Sequence, residues 1–195
     1  MTVDEFKSSL VNHDVEDIYN DCILGSNIWY FKEHSSGKDH YEIYDKFKKY
    51  LAKNLEIHVN NVAIVGSAKL GFSLAPKKNF RLFNSESDID IIIVSPEIFR
   101  KSWDAYLDLS SKYFVKDYSF VSGNIFRRFV SLKTPDPRSA FFDAWSKKVE
   151  PCKKDLQVVF NISNEVNYRI YESWDAVKFY HQSGIVDLQT TIAKK

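Results

Sequence analysis

The sequence predicts an α+β fold in which a small mixed β-sheet is flanked by helices. Short apolar runs rich in Val and Ile are separated by longer segments whose apolar residues recur at every third or fourth position. The short runs are typical of buried strands, and the longer segments are typical of amphipathic helices. A chain of 195 residues is long enough for one domain with a full core and too short for two ordinary domains. We therefore expect one domain built from both kinds of element.

Residues that favour helix starts precede several of the predicted helices. Thr2 and Glu5 have the form of a capping box at the beginning of the chain, and Pro96 stands at the first helical position after Ser95. Ser173 is a capping residue for the last helix. The predicted helices are a short helix after Thr2 and the ranges 14–25, 40–55, 96–114, 122–132, 136–148 and 173–194.

Four apolar runs are predicted to be the strands of the sheet. The helix that begins at Asp136 is expected to break at Pro151, because proline lacks the backbone N–H that a helix interior needs. A strand is predicted after this break, and a turn at 163–165 would return the chain into the last strand. The four predicted strands are 62–65, 87–94, 155–162 and 166–171.

Composition narrows the classes of function. The 27 basic and 26 acidic residues leave a formal net charge of +1, so no strong interaction with nucleic acid is predicted. Aromatic residues make up 15% of the chain, which favours a core rich in Phe and Tyr. Cys22 and Cys152 lack the spacing of a metal site and are expected to be reduced and structural. Because neither a signal peptide nor a membrane-spanning run is recognised, we expect a cytoplasmic protein with no membrane partner.

Two of the predicted strands carry the residues with the clearest chemical role. The run 62–65 ends in Gly66 and Ser67, which predicts a tight turn after a buried strand. Asp88 and Asp90 open the next strand, and they share one face because successive side chains of a strand point to opposite faces. Their α-carbons would lie about 7 Å apart. Since Mg²⁺ prefers a few carboxylate oxygens together with substrate phosphates, the pair predicts a divalent-cation site.

This arrangement resembles the signature of the nucleotidyltransferases of the DNA polymerase beta superfamily. The resemblance covers residues 62–94 and depends on Gly66-Ser67 after a strand, followed by Asp88-Ile89-Asp90 at the start of the next. It implies a nucleotidyltransferase-like fold of the minimal type for the whole chain, 1–195. Helices outside the motif would then form an N-terminal extension over about 1–55 and a C-terminal helix over about 173–194.

The resemblance implies a metal-dependent enzyme that moves a nucleoside monophosphate from an NTP, such as ATP, to an acceptor hydroxyl. The sequence does not identify the acceptor, which could belong to a protein, an RNA or a small molecule. Asp88 and Asp90 would be catalytic and would hold Mg²⁺ or Mn²⁺. The superfamily supplies a third acid from a neighbouring strand, and Asp155 is the candidate for this metal-binding and catalytic position. Gln157 lies on the same face of the predicted strand, but an amide there could not act as a base.

Gly66, Ser67 and Lys69 are the candidates for binding the phosphates of the NTP. Glycine lets the backbone approach a phosphate closely, the Ser67 hydroxyl is a hydrogen-bond donor, and Lys69 is a counter-charge. An ordinary turn explains Gly66 and Ser67 equally well. Twenty residues separate Ser67 from Asp88, which is more than is usual in the small superfamily members. The loop 77–85 is therefore interpreted as an insertion that could cover or extend the pocket.

A second hypothesis, from a different class, is a non-catalytic member of the same fold. Such a protein would bind a nucleotide or a protein partner and act as a regulator, for example as an antitoxin-like component. The third carboxylate distinguishes the two hypotheses. Asp155 facing Asp88 and Asp90 would favour the enzyme, whereas Gln157 facing them would favour the regulator.

Overall fold

Four strands form a mixed sheet in the part of the chain that the structure describes, which is residues 1–35 and 37–194 of a computed structural model. The strands are β1 (Val62–Val65), β2 (Ile89–Val94), β3 (Phe129–Ser131) and β4 (Val166–Tyr171). The sheet order is β1-β2-β4-β3. β1 is antiparallel to β2, β2 is parallel to β4, and β3 is antiparallel to β4. The predicted α+β class with a small mixed sheet is confirmed.

Nine α-helices flank the sheet within the described residues. Thr2 and Glu5 form the predicted capping box at the start of the first helix, and the Ser173 hydroxyl accepts the backbone N–H of Ala176 at the start of the last. None of the described helices has both the length and the apolar composition needed to cross a membrane. The helices are α1 (Val3–Asn12), α2 (Val15–Ile18), α3 (Trp29–His34), α4 (His40–Leu55), α5 (Ser67–Leu70), α6 (Pro96–Lys112), α7 (Tyr118–Phe126), α8 (Ala140–Phe160) and α9 (Trp174–Ala193).

The second strand is buried on both of its faces. Ile91 and Ile93 have no exposed surface and belong to a core that includes side chains of α4, α6 and α8. Ile92 belongs to a second core, on the other face, which includes side chains of α1 and α9. Asp90 points to the same face as Ile92, because side chains two residues apart on a strand share a face. The carboxylates of the predicted site therefore lie on the α9 side of the sheet.

The prediction of a strand over 155–162 is wrong, because residues up to Phe160 belong to α8. Leu156 and Phe160 lie one helical turn apart and are both buried, whereas Val158 and Val159 are mostly exposed. This burial pattern has the period of a helix and not that of a strand. The β-branched pair that suggested a strand is thus on the outer surface of the helix.

The expected break at Pro151 is also wrong, since α8 continues through this residue. Proline removes one hydrogen bond from the helix interior. The buried face nevertheless continues across it, with Trp145 before the proline and Cys152 directly after it. Packing of an amphipathic face supplies most of the stability of a helix in a folded protein, and here it offsets the missing bond.

The helix predicted over 122–132 is confirmed only in its first half. Helix α7 ends at Phe126, and Arg128 has a positive φ of 60°, which turns the chain back towards the sheet. Phe129 and Val130 then pair with the last strand and are each only 2% exposed. Their burial against the sheet is a tertiary effect that outweighs the helical spacing of the sequence.

Candidate functional site

A cleft with a volume of about 520 Å³ lies between the sheet, the loop after α5 and helix α9. The sheet side contains the predicted turn and the predicted carboxylates. Its side chains and backbone come from Gly66, Ser67, Ser87, Asp88, Asp90, Asn167 and Arg169. The opposite side is formed by Ser73–Pro76, Lys78, Arg81, Phe179–His181, Ser183–Ile185 and Asp187, and Arg127 also lines the cleft.

The turn at Gly66 requires glycine for two reasons. Its backbone has φ +70° and ψ −146°, a conformation that residues with a side chain rarely adopt. A Cβ atom built at this position would also lie 2.9 Å from Oδ2 of Asp90. The glycine therefore lets the turn and the Asp90 carboxylate approach each other, and Ser67 follows it at the cleft surface.

The Asp90 carboxylate is held by two side chains of β4. Asn167 donates from Nδ2 to Oδ1 at 2.7 Å, and the Arg169 guanidinium donates to Oδ1 at 3.0 Å and to Oδ2 at 3.3 Å. The side chains of Arg169 and Asp90 are only 23% and 18% exposed. This geometry follows from the parallel pairing of the strands, in which Asn167 is the register partner of Asp90. A partly buried ion pair thus forms the floor of the cleft.

The Asp88 carboxylate is also paired with a cation. Lys133, which follows β3, places its Nζ 2.9 Å from Oδ1 of Asp88 and 2.8 Å from Oε2 of Glu165. The hydrogen bond to Glu165, followed by that to Asp88, raises the pKa of Lys133. Both partners of the Asp88 bridge are more than one-third exposed, so water screens this pair more than the Asp90 pair.

Arg169 lies among groups that favour its charged form. Burial acts to lower the pKa of Arg169, but the Asp90 carboxylate and the nearby hydroxyls of Tyr171 and Tyr180 outweigh it and raise the pKa. Burial in turn raises the pKa of Tyr171. The Tyr171 hydroxyl has no hydrogen-bond partner among the described residues. Arg169 is therefore the fixed positive charge of this region.

His181 lies next to this cation and is neutral at pH 7. Burial, and secondly the charge of Arg169, lower the pKa of His181 to about 3. Although the ring reaches the cleft, its Nε2 atom is buried and has no partner in the described part of the chain. The ring thus contributes polar atoms, but no charge, to the α9 side of the cleft.

The structure does not bring Asp155 together with Asp88 and Asp90. Asp155 lies in α8, where its Oδ2 accepts a 2.7 Å hydrogen bond from the Tyr50 hydroxyl, and it does not line the cleft. Gln157 belongs to the same helix and does not line the cleft either. The predicted third position is wrong because it depended on a strand that is a helix. The residue that faces Asp90 from the neighbouring strand is Asn167.

Lys69 does not face the cleft. Its Nζ donates to the backbone carbonyls of Gly25 and Asn27, the latter at 2.9 Å, and its side chain is only 2% exposed. Burial lowers the pKa of Lys69 to about 8. The amine is therefore not available to a phosphate in the cleft, and it joins α5 to the segment before α3 instead.

Besides Arg169, three cations line the cleft, which are Lys78, Arg81 and Arg127. Lys78 and Arg81 come from the loop 77–85 after the Gly-Ser turn, and this loop lines the pocket. All three side chains are exposed, and none forms an ion pair with a carboxylate of the described residues. They are free to contact an anionic ligand.

The residues of the site do not fit the two-ion metal centre that the resemblance implies. Arg169 and Asn167 donate hydrogen bonds to the Asp90 oxygens, and Lys133 donates one to an oxygen of Asp88. In addition, no group of three His, Cys, Asp or Glu side chains within 1–35 and 37–194 could hold a metal ion. A clamp for two cations needs carboxylates that are available to both ions. Here the charges of the carboxylates are already balanced by protein cations.

Sequence reasoning missed Asn167, Arg169 and Lys133, which are the partners of the two carboxylates. The alternation of polar and apolar residues in β4 did place Asn167 and Arg169 on one face of a strand. That pattern could have marked them as residues facing a polar site. Comparisons with protein-family models, with curated proteins and with solved structures find no match to this chain.

Proposed function

We propose that the protein is a nucleotidyltransferase-like protein that binds a nucleoside triphosphate in the cleft without transferring its nucleotidyl group. The observation that carries this proposal is the partly buried bond between Arg169 and Asp90, with Asn167 at the position facing Asp90 on the neighbouring strand. These residues favour the non-catalytic hypothesis over the enzyme. The Gly66 turn and the cations around the cleft support the binding of phosphates.

Size and charge both support a nucleotide as the ligand. A volume of about 520 Å³ lies within the usual range for small-molecule sites. Lys78 and Arg81 on the loop and Arg127 next to β3 add three positive charges without carboxylate partners among the described residues. A triphosphate carries several negative charges, and an arginine can bind phosphate through two parallel hydrogen bonds. Binding can therefore depend on the protein's own cations.

Transfer is disfavoured by the same residues. Catalysis by two metal ions would require Asp90 to exchange Arg169 for a cation, and removal of a partner from a buried pair leaves an unpaired charge in the protein. Asn167 cannot supply a negative charge or accept a proton from an attacking hydroxyl. Arg169, in contrast, neutralises Asp90 permanently and can contribute to anion binding.

Calorimetric titration with ATP and GTP, in EDTA and in Mg²⁺, tests this proposal. We expect binding in EDTA, because the phosphates contact protein cations and not a metal ion. Arg81→Gln should weaken binding by about tenfold, since a hydrogen bond to a charged group contributes about 1.5–3 kcal/mol. Arg100→Gln is the matched control, because Arg100 is exposed on α6 and does not line the cleft.

Two results would contradict the proposal. Equal affinity of the wild type and Arg81→Gln would remove the loop cations from the binding site. Release of pyrophosphate from an NTP in Mg²⁺, abolished by Asp88→Asn, would instead favour the metal-dependent enzyme. Asp88 and Asp90 line the cleft beside the Gly66 turn, and this observation is what supports the metal-dependent enzyme as a second candidate function.

A further inference from the structure

Helix α9 has a glycine at a position where packing within the protein does not require one. Gly184 is in the interior of this 20-residue helix, and glycine destabilises a helix interior relative to alanine. A Cβ atom built at Gly184 would meet no atom within 4 Å. The residue is exposed and lines the cleft. The missing side chain therefore leaves open space in the cleft.

The residues around Gly184 form one continuous surface towards the cleft. Tyr180, Ser183, Gly184 and Asp187 are three, four and seven residues apart, which places them on the same side of a helix. All four line the cleft, and Tyr180, whose ring packs edge-on against Phe129, precedes the glycine by one helical turn. Asp187 is exposed and forms no ion pair with a cation of the described residues. This surface combines an aromatic ring, a flat segment of backbone and a free acceptor.

We infer that this surface of α9 binds the nucleoside part of the nucleotide, an inference that depends on the proposed function. A planar base lies against the backbone at Gly184 beside the Tyr180 ring. Asp187 accepts hydrogen bonds from donors of the nucleoside, which are the ribose hydroxyls or the amino group of the base.

Charge determines which end of the ligand contacts α9. The Asp187 carboxylate repels phosphates, whereas Lys78 and Arg81, on the loop, attract them. The phosphates therefore lie near the loop and the Gly66 turn, and the uncharged nucleoside lies on α9. The cleft selects a nucleotide over a free phosphate because the loop cations and the Gly66 turn contact the phosphates, whereas α9 contacts the nucleoside.

Titration of the wild type with ATP and with inorganic triphosphate tests this assignment. We expect ATP to bind more tightly than triphosphate by at least about fivefold, because the stacking of one base provides at least that gain in affinity. Gly184→Leu should remove this difference by filling the space of the base, with the affinity for triphosphate unchanged. The same substitution should not lower the midpoint of urea unfolding, since leucine favours helix more than glycine does.

Val186→Leu is the matched control, because Val186 is in the same helix, is 46% exposed and does not line the cleft. It should leave both affinities unchanged. Asp187→Asn should weaken the binding of ATP but not the binding of triphosphate. Titration with 2′-deoxy-ATP and with ITP then identifies the donor: loss of affinity with the first assigns it to the ribose, and loss with the second assigns it to the amino group.

The outcomes separate the inference from the proposed function. If ATP binds no more tightly than triphosphate, or if Gly184→Leu binds ATP as the wild type does, the nucleoside does not contact α9 and the inference is overturned. Binding of triphosphate in either case would leave the proposed function standing. If neither ATP nor triphosphate binds, the proposed function fails, and the inference fails with it.

Discussion

The two sides of the cleft differ in how their charges are balanced. On the sheet side, Asp90 bonds to Arg169 and Asp88 bonds to Lys133. On the opposite side, the charges of Lys78, Arg81 and Asp187 are exposed and form no ion pair within the described residues. Charged groups that are partly buried need partners in the folded protein, whereas exposed ones are hydrated and available.

We therefore expect the two sides of the cleft to contribute differently to the stability of the protein and to its affinity for a ligand. Substitutions on the sheet side should change the free energy of unfolding, because they leave a partner without its counter-charge. Substitutions of the exposed charges on the opposite side should change ligand affinity with little effect on folding. Measurements of unfolding compare the effects of the two sides on stability.

The largest effect is expected for Arg169→Ala, which leaves the Asp90 carboxylate without its main partner. Removing one member of a buried ion pair typically costs 3–5 kcal/mol, and we expect about 3 kcal/mol because both side chains keep about one-fifth of their exposure. Urea unfolding at pH 7 measures this loss. Arg127→Ala should change stability by less than about 0.5 kcal/mol, because Arg127 is exposed and forms no ion pair with the described residues.

A double variant distinguishes the ion pair from the packing of the arginine side chain. Asp90→Asn combined with Arg169→Met removes both charges and keeps most of the volume. Its stability should be closer to that of the wild type than that of Arg169→Ala. If the double variant is as unstable as the single one, the charge pair does not account for the loss.

A smaller effect is expected on the pH dependence of the free energy of unfolding, and it depends on His181. The pKa of His181 is about 3 in the folded protein and about 6.5 in an unfolded chain. The folded pKa is depressed, so the stability that neutral His181 contributes is complete above pH 6.5 and is lost progressively as pH falls towards 3. By pH 5 the loss should reach about 2 kcal/mol, because one pKa unit corresponds to about 1.36 kcal/mol.

Urea unfolding of the wild type and His181→Gln at pH 7 and pH 5 measures this contribution. The wild type should lose about 2 kcal/mol more than the variant over this interval. Equal losses in the two proteins would show that His181 is protonated in the folded state, and that its environment near Arg169 is more polar than the buried Nε2 atom indicates.

The smallest effects come from one substitution made at two glycines of the cleft. Gly66→Ala should lower the free energy of unfolding by about 1–2 kcal/mol, because alanine is strained at this positive φ and its Cβ would crowd the Asp90 carboxylate. Gly184→Ala should raise it by about 0.5–1 kcal/mol, because alanine favours a helix interior and the space is open. Thermal unfolding of both variants gives the two signs. A loss of stability in Gly184→Ala would mean that the glycine has a structural role.

The polar face of β2 could be predicted from the sequence, but its partners could not. The Val62–Val65 run, the Gly-Ser turn and the alternation at Asp88 and Asp90 are local patterns, and all of them are present in the structure. The neighbour of a strand, in contrast, depends on which segments pair and in what register. The pairing of Asp90 with Asn167 is set by the parallel contact between β2 and β4, which are far apart in the chain.

The failure at Asp155 has a different physical cause. The apolar run 156–160 has a composition that favours a strand. Its helical conformation is determined by the packing of Leu156 and Phe160 in the core. Lys69 illustrates the same limit, since the sequence marks it as a charge beside a phosphate turn. Only the fold shows that two backbone carbonyls bind its ammonium group.

The buried amine of Lys69 connects the segment before α3 to the turn that lines the cleft. The N-terminal helices and the cleft therefore belong to one folding unit. The acceptors of this amine, the carbonyls of Gly25 and Asn27, precede the sheet, whereas the lysine belongs to the helical turn directly after Gly66. Phe6 of α1 likewise packs against Phe80 of the cleft loop, with 6.3 Å between the ring centroids. A truncated chain that began at β1 would lose the acceptors of this ammonium group and would open an aromatic cluster to water. The N-terminal helices and the Gly-Ser turn should therefore unfold cooperatively, in a single step.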